Sequence, residues 1–96
     1  MADPIKIAGI SWYTREDYAA CREIMVDKHI FPVSYDAWRK KAERQVQEWE
    51  SRGFRVIHIH LDAEKFRAWC SARQLDIDAK ARICFANEQA LRFARN

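Results

Sequence analysis

The sequence predicts a helix-dominated α+β domain with the element order β-α-α-β-α-α and a two-stranded sheet covered by helices. Residues 55–61 alternate as a half-buried strand does, whereas most other apolar residues recur every three or four positions, the spacing of helices. The chain has only two glycines and two prolines, a composition that favours long regular elements over an all-β fold. Its 96 residues have the size of one domain, residues 1–96.

The strand at residues 55–61 divides its side chains into two sets, because neighbouring residues of a strand face opposite sides. The aliphatic set is Ile57, Ile59 and Leu61, and the other set is Val56, His58 and His60. Residues 5–12, with Ile5 and Ile7 on one face, are the only local candidate for a partner strand. The edge that bears Val56 and both histidines can also pair with a second copy of the chain, which predicts a homodimer.

Two helices are predicted between the strands. The hydroxyl of Thr14 is placed to cap a helix over residues 15–28, and Asp17 is placed to complete a capping box. Ser34 is placed to cap the next helix, which ends at Gly53 because glycine tolerates the left-handed backbone conformation best.

Two more helices are predicted after the second strand. Asp62 begins a short helix, and Asp78 begins a helix that continues to about residue 94. The apolar residues of the last helix fall within one arc, which predicts its inner face: Ala79, Ile83, Ala86, Ala90, Leu91 and Ala94. The small alanines of this face would permit close approach of a neighbouring helix.

Composition and charge exclude several classes of protein. The formal net charge is only +3, from 17 basic and 14 acidic residues, so charge alone does not indicate nucleic acid or anionic lipid. No stretch has the length of a membrane span, and the first residues do not form a signal peptide. Three cysteines without a short spacing are typical of reduced thiols, and we expect a cytoplasmic protein.

The pair His58 and His60 is the one arrangement in the sequence that predicts metal chemistry. Both imidazoles lie on one face of the strand, and together they could hold a zinc ion if a third ligand joined them. The candidates for that ligand are His29, Asp27, Cys70, Cys84 and Asp62. The alternative is that both rings are amphipathic residues on the less buried face, and no cofactor is then expected.

Catalytic motifs are absent from the sequence. There is no glycine-rich phosphate loop, no nucleophile elbow and no paired-histidine zinc protease motif. Cys21 and Cys70 fall on apolar helix faces and Cys84 at the edge of one, where buried structural thiols are expected rather than nucleophiles. We therefore assign no catalytic residue.

Phe85 lies outside the alanine-rich arc of the last helix, with Arg82, Gln89 and Arg92 around it. An aromatic ring among guanidinium groups is suited to a protein interface or to a base-stacking site on nucleic acid. The alternative is that the helix is covered on two sides and that Phe85 is a core residue. A nucleic-acid adaptor would further require Lys80 and Arg95 to share an accessible surface with Arg82 and Arg92. The interface candidates are therefore Phe85, Arg82, Gln89, Arg92 and Val56.

The segment Phe66-Arg67-Ala68-Trp69-Cys70, followed by Ala79-Lys80-Ala81-Arg82 and Phe85-Ala86, resembles the C-terminal part of a family of small bacterial proteins of unassigned function. The resemblance covers about a third of the chain. It implies a bacterial cytosolic domain and transfers no catalytic residue. From the sequence we therefore expect a small interaction or structural module that associates with itself or with another protein; a metal-binding or enzymatic domain and a nucleic-acid adaptor are the alternatives.

Overall fold

The computed structural model describes residues 6–95 and has the predicted helix-dominated α+β fold, with helices around a small parallel sheet. The first half of the chain contains β1 (Lys6–Trp12), α1 (Tyr18–Ile24), a single 3₁₀ turn (Lys28–Ile30) and α2 (Tyr35–Ser51). The second half contains β2 (Phe54–His60), α3 (Ala63–Ala72) and α4 (Ala79–Arg95). The element order is β-α-α-β-α-α, as the sequence predicts. Ile5, which the sequence places in the first strand, lies outside the described residues.

The two strands run parallel and pair along their whole length, from Lys6 opposite Phe54 to Trp12 opposite His60. A parallel pair needs a crossover connection, and α1 and α2 provide it. The alternation predicted for the second strand is observed at its end: Leu61 is fully buried, while His58 and His60 are exposed. Val56 differs from the two histidines because it is half-buried.

Each face of the sheet is covered by one long helix. Helix α4 crosses β1 at Gly9, where a β-carbon would overlap the carbonyl oxygen of Ala86 and lie 2.9 Å from the Cβ of Ala90. Helix α2 covers the other face, where the rings of Trp12 and Trp38 meet edge to face with their centroids 5.1 Å apart. The sequence predicts a helix against the alanines of α4, but it is a strand, at its glycine, that approaches them.

The core lies beyond the carboxyl ends of the two strands, where α1, α3, the first half of α2 and the first half of α4 meet. Aromatic rings fill most of it: Tyr13 packs edge to face on Trp38, and Phe66 packs in the same way on Phe85. The largest of the fully buried side chains are Phe66, Leu61, Cys21 and Cys70. Because burial of aromatic surface is the largest stabilising contribution available to a domain of this size, these residues hold the helices against the sheet.

The predicted caps of the last three helices are observed. The side-chain oxygens of Ser34, Asp62 and Asp78 accept the backbone amides of Ala37, Lys65 and Ala81, at 3.1, 2.9 and 3.0 Å. Gly53 ends α2 with a positive φ of 89°. These contacts are local, and sequence spacing is therefore enough to predict them.

The first helix is shorter than the predicted range 15–28. Thr14 does accept the amide of Asp17 at 3.1 Å, but the helix begins at Tyr18 and ends at Ile24. The carboxylate of Asp17 does not complete a capping box, because it contacts His60 on the second strand. The backbone amide of Val26 donates to the carbonyl of Ile77, a tertiary hydrogen bond that replaces the helical one.

The inner face of α4 is rotated from the predicted arc. Ala86 and Ala90 are buried as expected, but Ala81 and Phe85 complete the buried set, whereas Ile83 is 62% exposed and Leu91 is 54% exposed. The helix packs against two parts of the fold, the sheet and α3, so the side of the helix that is buried differs from the side that a single apolar arc indicates. In the described part of the chain, no helix is both long enough and apolar enough to cross a bilayer.

Candidate binding groove at the edge of β1

Within residues 6–95 the sheet has two strands, and β1 therefore has one edge that is not paired with β2. The carbonyl of Trp12 points toward β2, where it accepts the amide of Leu61 at 3.0 Å. Backbone groups of successive strand residues point to opposite sides in the plane of the sheet. Ile7, Gly9 and Ser11 therefore direct their amide and carbonyl groups to the outer edge of β1.

Asn87 of α4 occupies the centre of this edge. Its side-chain oxygen accepts a hydrogen bond from the backbone amide of Gly9 at 3.1 Å. The side chain of asparagine is an amide, the same chemical group as a peptide unit. Asn87 therefore supplies the acceptor that the carbonyl of a third strand would supply at this position.

The outer edge of β1 forms the floor of an apolar groove of about 650 Å³, which we call the β1 groove. One wall is formed by side chains of α2: Trp38, Lys41, Ala42, Gln45 and Trp49. The other wall is formed by side chains of α4: Ala79, Arg82, Ile83, Ala86, Asn87, Ala90 and Leu91. Phe54 and Val56 extend the floor, and residues 30–32 lie at one end. The volume is in the range of sites that bind small molecules or short peptide segments.

Apolar side chains at the mouth of the groove are exposed to solvent. Ile83 and Leu91 of α4 and Ile30 of the 3₁₀ turn are each more than half exposed. Single exposed apolar residues are common on protein surfaces, but a continuous apolar surface with a polar rim is typical of a binding site. Ile83 and Leu91, which the sequence places in the core, instead line this groove.

The charges in the walls differ in how they are compensated. Arg82 makes two hydrogen bonds to the carboxylate of Asp27, at 2.9 and 2.8 Å, and its guanidinium lies over the ring of Phe31. These hydrogen bonds from Arg82 hold the pKa of Asp27 below its ordinary value. Lys41 has no ion pair within residues 6–95, and the lining residues include neither aspartate nor glutamate. The groove therefore carries one uncompensated positive charge.

The two histidines predicted as metal ligands lie outside the groove. The ring of His58 stacks on Trp12 at 3.9 Å, and Nε2 of His60 lies 2.9 Å from a carboxylate oxygen of Asp17. Within residues 6–95, no cluster of three or more potential ligands could hold a metal ion. Of the predicted third ligands, Asp27 is bound to Arg82, Asp62 caps α3 and Cys70 is buried.

The predicted cluster around Phe85 is not a surface site. Phe85 is buried against Phe66 and Trp69, which places the ring in the core, as the alternative interpretation expects, rather than on an exposed surface. The side chain of Arg82 is only 11% exposed and is neutralised by Asp27, and therefore it does not share an accessible basic surface with Lys80 and Arg92. The side chain of Arg95 lies outside the described residues.

The remaining interface candidates are distributed differently. Arg92 is exposed and lies 3.7 Å from Glu88, which also binds Arg73. Gln89 is half-buried and does not line the groove. Val56 does line it, and is the one predicted interface residue besides Arg82 that the structure brings to this site.

Sequence patterns do not single out Gly9, Lys41 or Asn87 as site residues. Two weak signals point toward them. A glycine inside a strand often marks a close approach of another backbone, which is its role at position 9. Lys41 has no acidic residue three or four positions before or after it in α2. Most other basic residues of this helix do have an acidic residue at such a position. Nothing in the sequence indicates that Asn87 reaches the edge of β1.

Two of the three cysteines, Cys21 and Cys70, have buried thiols. Burial raises the pKa of Cys21 to about 11, and the nearby carboxylates of Asp17 and Asp62 act in the same direction. Burial also raises the pKa of Cys70. Because the thiolate is the reactive form, both thiols are held in their unreactive state at neutral pH. Cys84 is exposed on α4.

Comparison with known proteins adds no relative to these observations: no family model matches the chain, and neither the curated proteins nor the solved structures contain a match. The resemblance of the C-terminal segment to small bacterial proteins therefore stays a prediction.

Proposed function

We propose that this protein is an interaction module that binds an extended polypeptide segment by strand addition at the outer edge of β1. The observation that carries the proposal is the position of that edge. Its outward backbone groups lie along the floor of an apolar groove, where an amide side chain, Asn87, already bonds the amide of Gly9. Strand addition uses such an edge for affinity and adjacent pockets for the choice of side chains.

The shape of the groove favours a single extended segment. Helices α2 and α4 cover opposite faces of the sheet, and side chains of both extend past β1 to form the walls. The space between two helices that flank one sheet has the thickness of a sheet. A strand that continues the sheet fits that space, with alternate side chains directed at the two walls.

The test uses a capped, neutral heptapeptide in which threonine and valine alternate, added to ¹⁵N-labelled protein. We expect the amide resonances of Gly9 and Ser11 to shift with added peptide, because these amides point to the free edge. Hydrogen exchange at Ser11 should slow in the complex, since a third strand would accept its amide proton.

The control is the amide of Ile10, which points toward β2 and should keep its exchange rate. Ser11→Pro removes an outward amide without removing a ladder hydrogen bond, and it should weaken peptide binding while the protein stays folded. Peptide binding that leaves Gly9 and Ser11 unperturbed, or no binding at millimolar peptide, would contradict strand addition at this edge.

Self-association is a second candidate, favoured by the other edge of the sheet. Strand β2 is also an edge strand, with the backbone groups of Val56 and His58 directed outward and the imidazoles of His58 and His60 exposed. Two copies could pair along this edge and form a four-stranded sheet. Light scattering at high micromolar concentration checks this: a dimer mass supports the homodimer, and a monomer mass counts against it. The metal-binding and nucleic-acid alternatives have no comparable feature and stay predictions.

A further inference from the structure

The charge of the β1 groove indicates which kind of segment it binds, an inference that rests on the strand-addition function proposed above. Lys41 lies in the α2 wall between Trp38 and Trp49, nearer to Trp38, with Ala37, Trp38, Arg44 and Gln45 at the neighbouring positions of its helix. None of these is acidic. The other cation of the walls, Arg82, is neutralised by Asp27 at 2.8 Å. An incoming segment therefore meets one ammonium group that no side chain within residues 6–95 compensates.

The α2 wall has an order of side chains along its length. Trp38 and Trp49 lie at its two ends, and Lys41 and Gln45 lie between them. Eleven residues of helix separate the two tryptophans, a rise of about 16 Å. In a strand, residues i, i+2 and i+4 lie on the same face, and the side chains of i and i+4 are about 13 Å apart. Along the wall, the side chains are thus apolar, then polar, then apolar. The distance between the two apolar ends is similar to the length of five residues in an extended segment.

We propose that the β1 groove selects an acidic extended segment with the pattern apolar-x-acid-x-apolar. The two apolar side chains pack toward Trp38 and Trp49, and the carboxylate pairs with Lys41 between them. The side-chain amide of Gln45, on the next turn, is an uncharged donor for the same carboxylate. The occupant is a segment of another protein with this pattern, because charge complementarity requires an acid at the centre.

The experiment compares three capped heptapeptides of alternating threonine and valine, in which the central valine is replaced by aspartate, asparagine or lysine. We expect the aspartate peptide to bind about two- to fivefold more tightly than the asparagine peptide, the range of a partly exposed ion pair. The lysine peptide should bind most weakly. The difference should shrink at 1 M salt, where the Debye length is about 3 Å.

Substitution of the lysine separates charge selection from strand propensity. Lys41→Glu should reverse the order of the three affinities, so that the lysine peptide binds most tightly. Lys40→Glu is the matched control, since it changes the net charge equally on the same helix but at a position that does not line the groove. It should leave the order unchanged.

Each result decides between the two proposals. If all three peptides bind equally and shift Gly9 and Ser11, strand addition stands and acid selection is wrong. Selection is also wrong if Lys40→Glu changes the order as much as Lys41→Glu does. If no peptide binds, both proposals fail. If octanoate binds and displaces the aspartate peptide while leaving the Gly9 and Ser11 amides unperturbed, the groove takes a small amphipathic carboxylate and the polypeptide assignment is overturned.

Discussion

Gly9 and Ala86 are in backbone contact: the α-carbon of the strand residue lies so close to the carbonyl oxygen of the helix residue that a β-carbon has no space. This contact brings α4 directly over β1. It therefore also places Asn87, the next residue, at the free edge of the strand, where its side chain reaches the amide of Gly9. The depth of the β1 groove and the position of its central hydrogen bond both depend on one missing side chain.

We expect Gly9→Ala to destabilise the fold by about 1–3 kcal/mol or more, the cost of overpacking, because the atom it would overlap belongs to the backbone and cannot rotate away. Gly53→Ala is the control. Its β-carbon meets open space, and the positive φ of 89° alone should cost about 1 kcal/mol. Urea unfolding followed by tryptophan fluorescence measures both, and a smaller loss for Gly9→Ala than for Gly53→Ala would show that α4 can move away from β1.

We expect Asn87→Ala to strengthen binding of the aspartate peptide. Asn87 competes with the incoming segment for the amide of Gly9, and a hydrogen bond of this kind contributes about 0.5–1.5 kcal/mol, or about two- to tenfold in affinity. Titration followed by amide chemical shifts measures the change. Gln89→Ala on the same helix is the control and should have no effect. Weaker binding by Asn87→Ala would mean that Asn87 contacts the segment rather than competing with it.

The ion pair between Arg82 and Asp27 predicts a pH dependence of stability. Because Arg82 lowers the pKa of Asp27 in the folded state, the pair stabilises the protein fully above the unfolded pKa, about 3.9. This stability is lost as the pH falls through the lower, folded pKa. Asp27→Asn should therefore cost about 1.5–3 kcal/mol at pH 7, the range for hydrogen bonds to charged groups.

The difference in unfolding free energy between the wild type and Asp27→Asn should decrease below pH 4. Asp36→Asn is a suitable control, because Asp36 pairs with Arg15 at an exposed site and should contribute much less. A difference that stays constant from pH 7 to pH 2 would show that the charge of Asp27 does not contribute to stability.

Zinc should leave the melting temperature unchanged. His58 and His60 are engaged with Trp12 and Asp17, and no third ligand joins them within residues 6–95. Thermal melts with and without a tenfold excess of zinc measure this. A clear rise in melting temperature that His58→Ala abolishes would instead establish the metal site that the sequence suggests.

The parts of the fold that the sequence determines are those set by contacts within a few residues. The hydroxyl of Ser34 and the carboxylates of Asp62 and Asp78 bond amides three positions later, and Gly53 adopts its left-handed conformation where α2 ends. Alternation alone identifies the strand that leads to Leu61. These features need no knowledge of the rest of the chain, and their positions can be read from spacing.

Tertiary structure decided which apolar side chains are buried and where the groove lies. An arc of apolar residues does not say how many partners a helix has, and α4 has two, so Phe85 is buried whereas Ile83 and Leu91 are exposed. The parallel pairing of the strands, the contact of Asp17 with His60 and the reach of Asn87 to Gly9 join residues far apart in sequence. Such contacts depend on how whole elements pack, and local spacing carries no information about them.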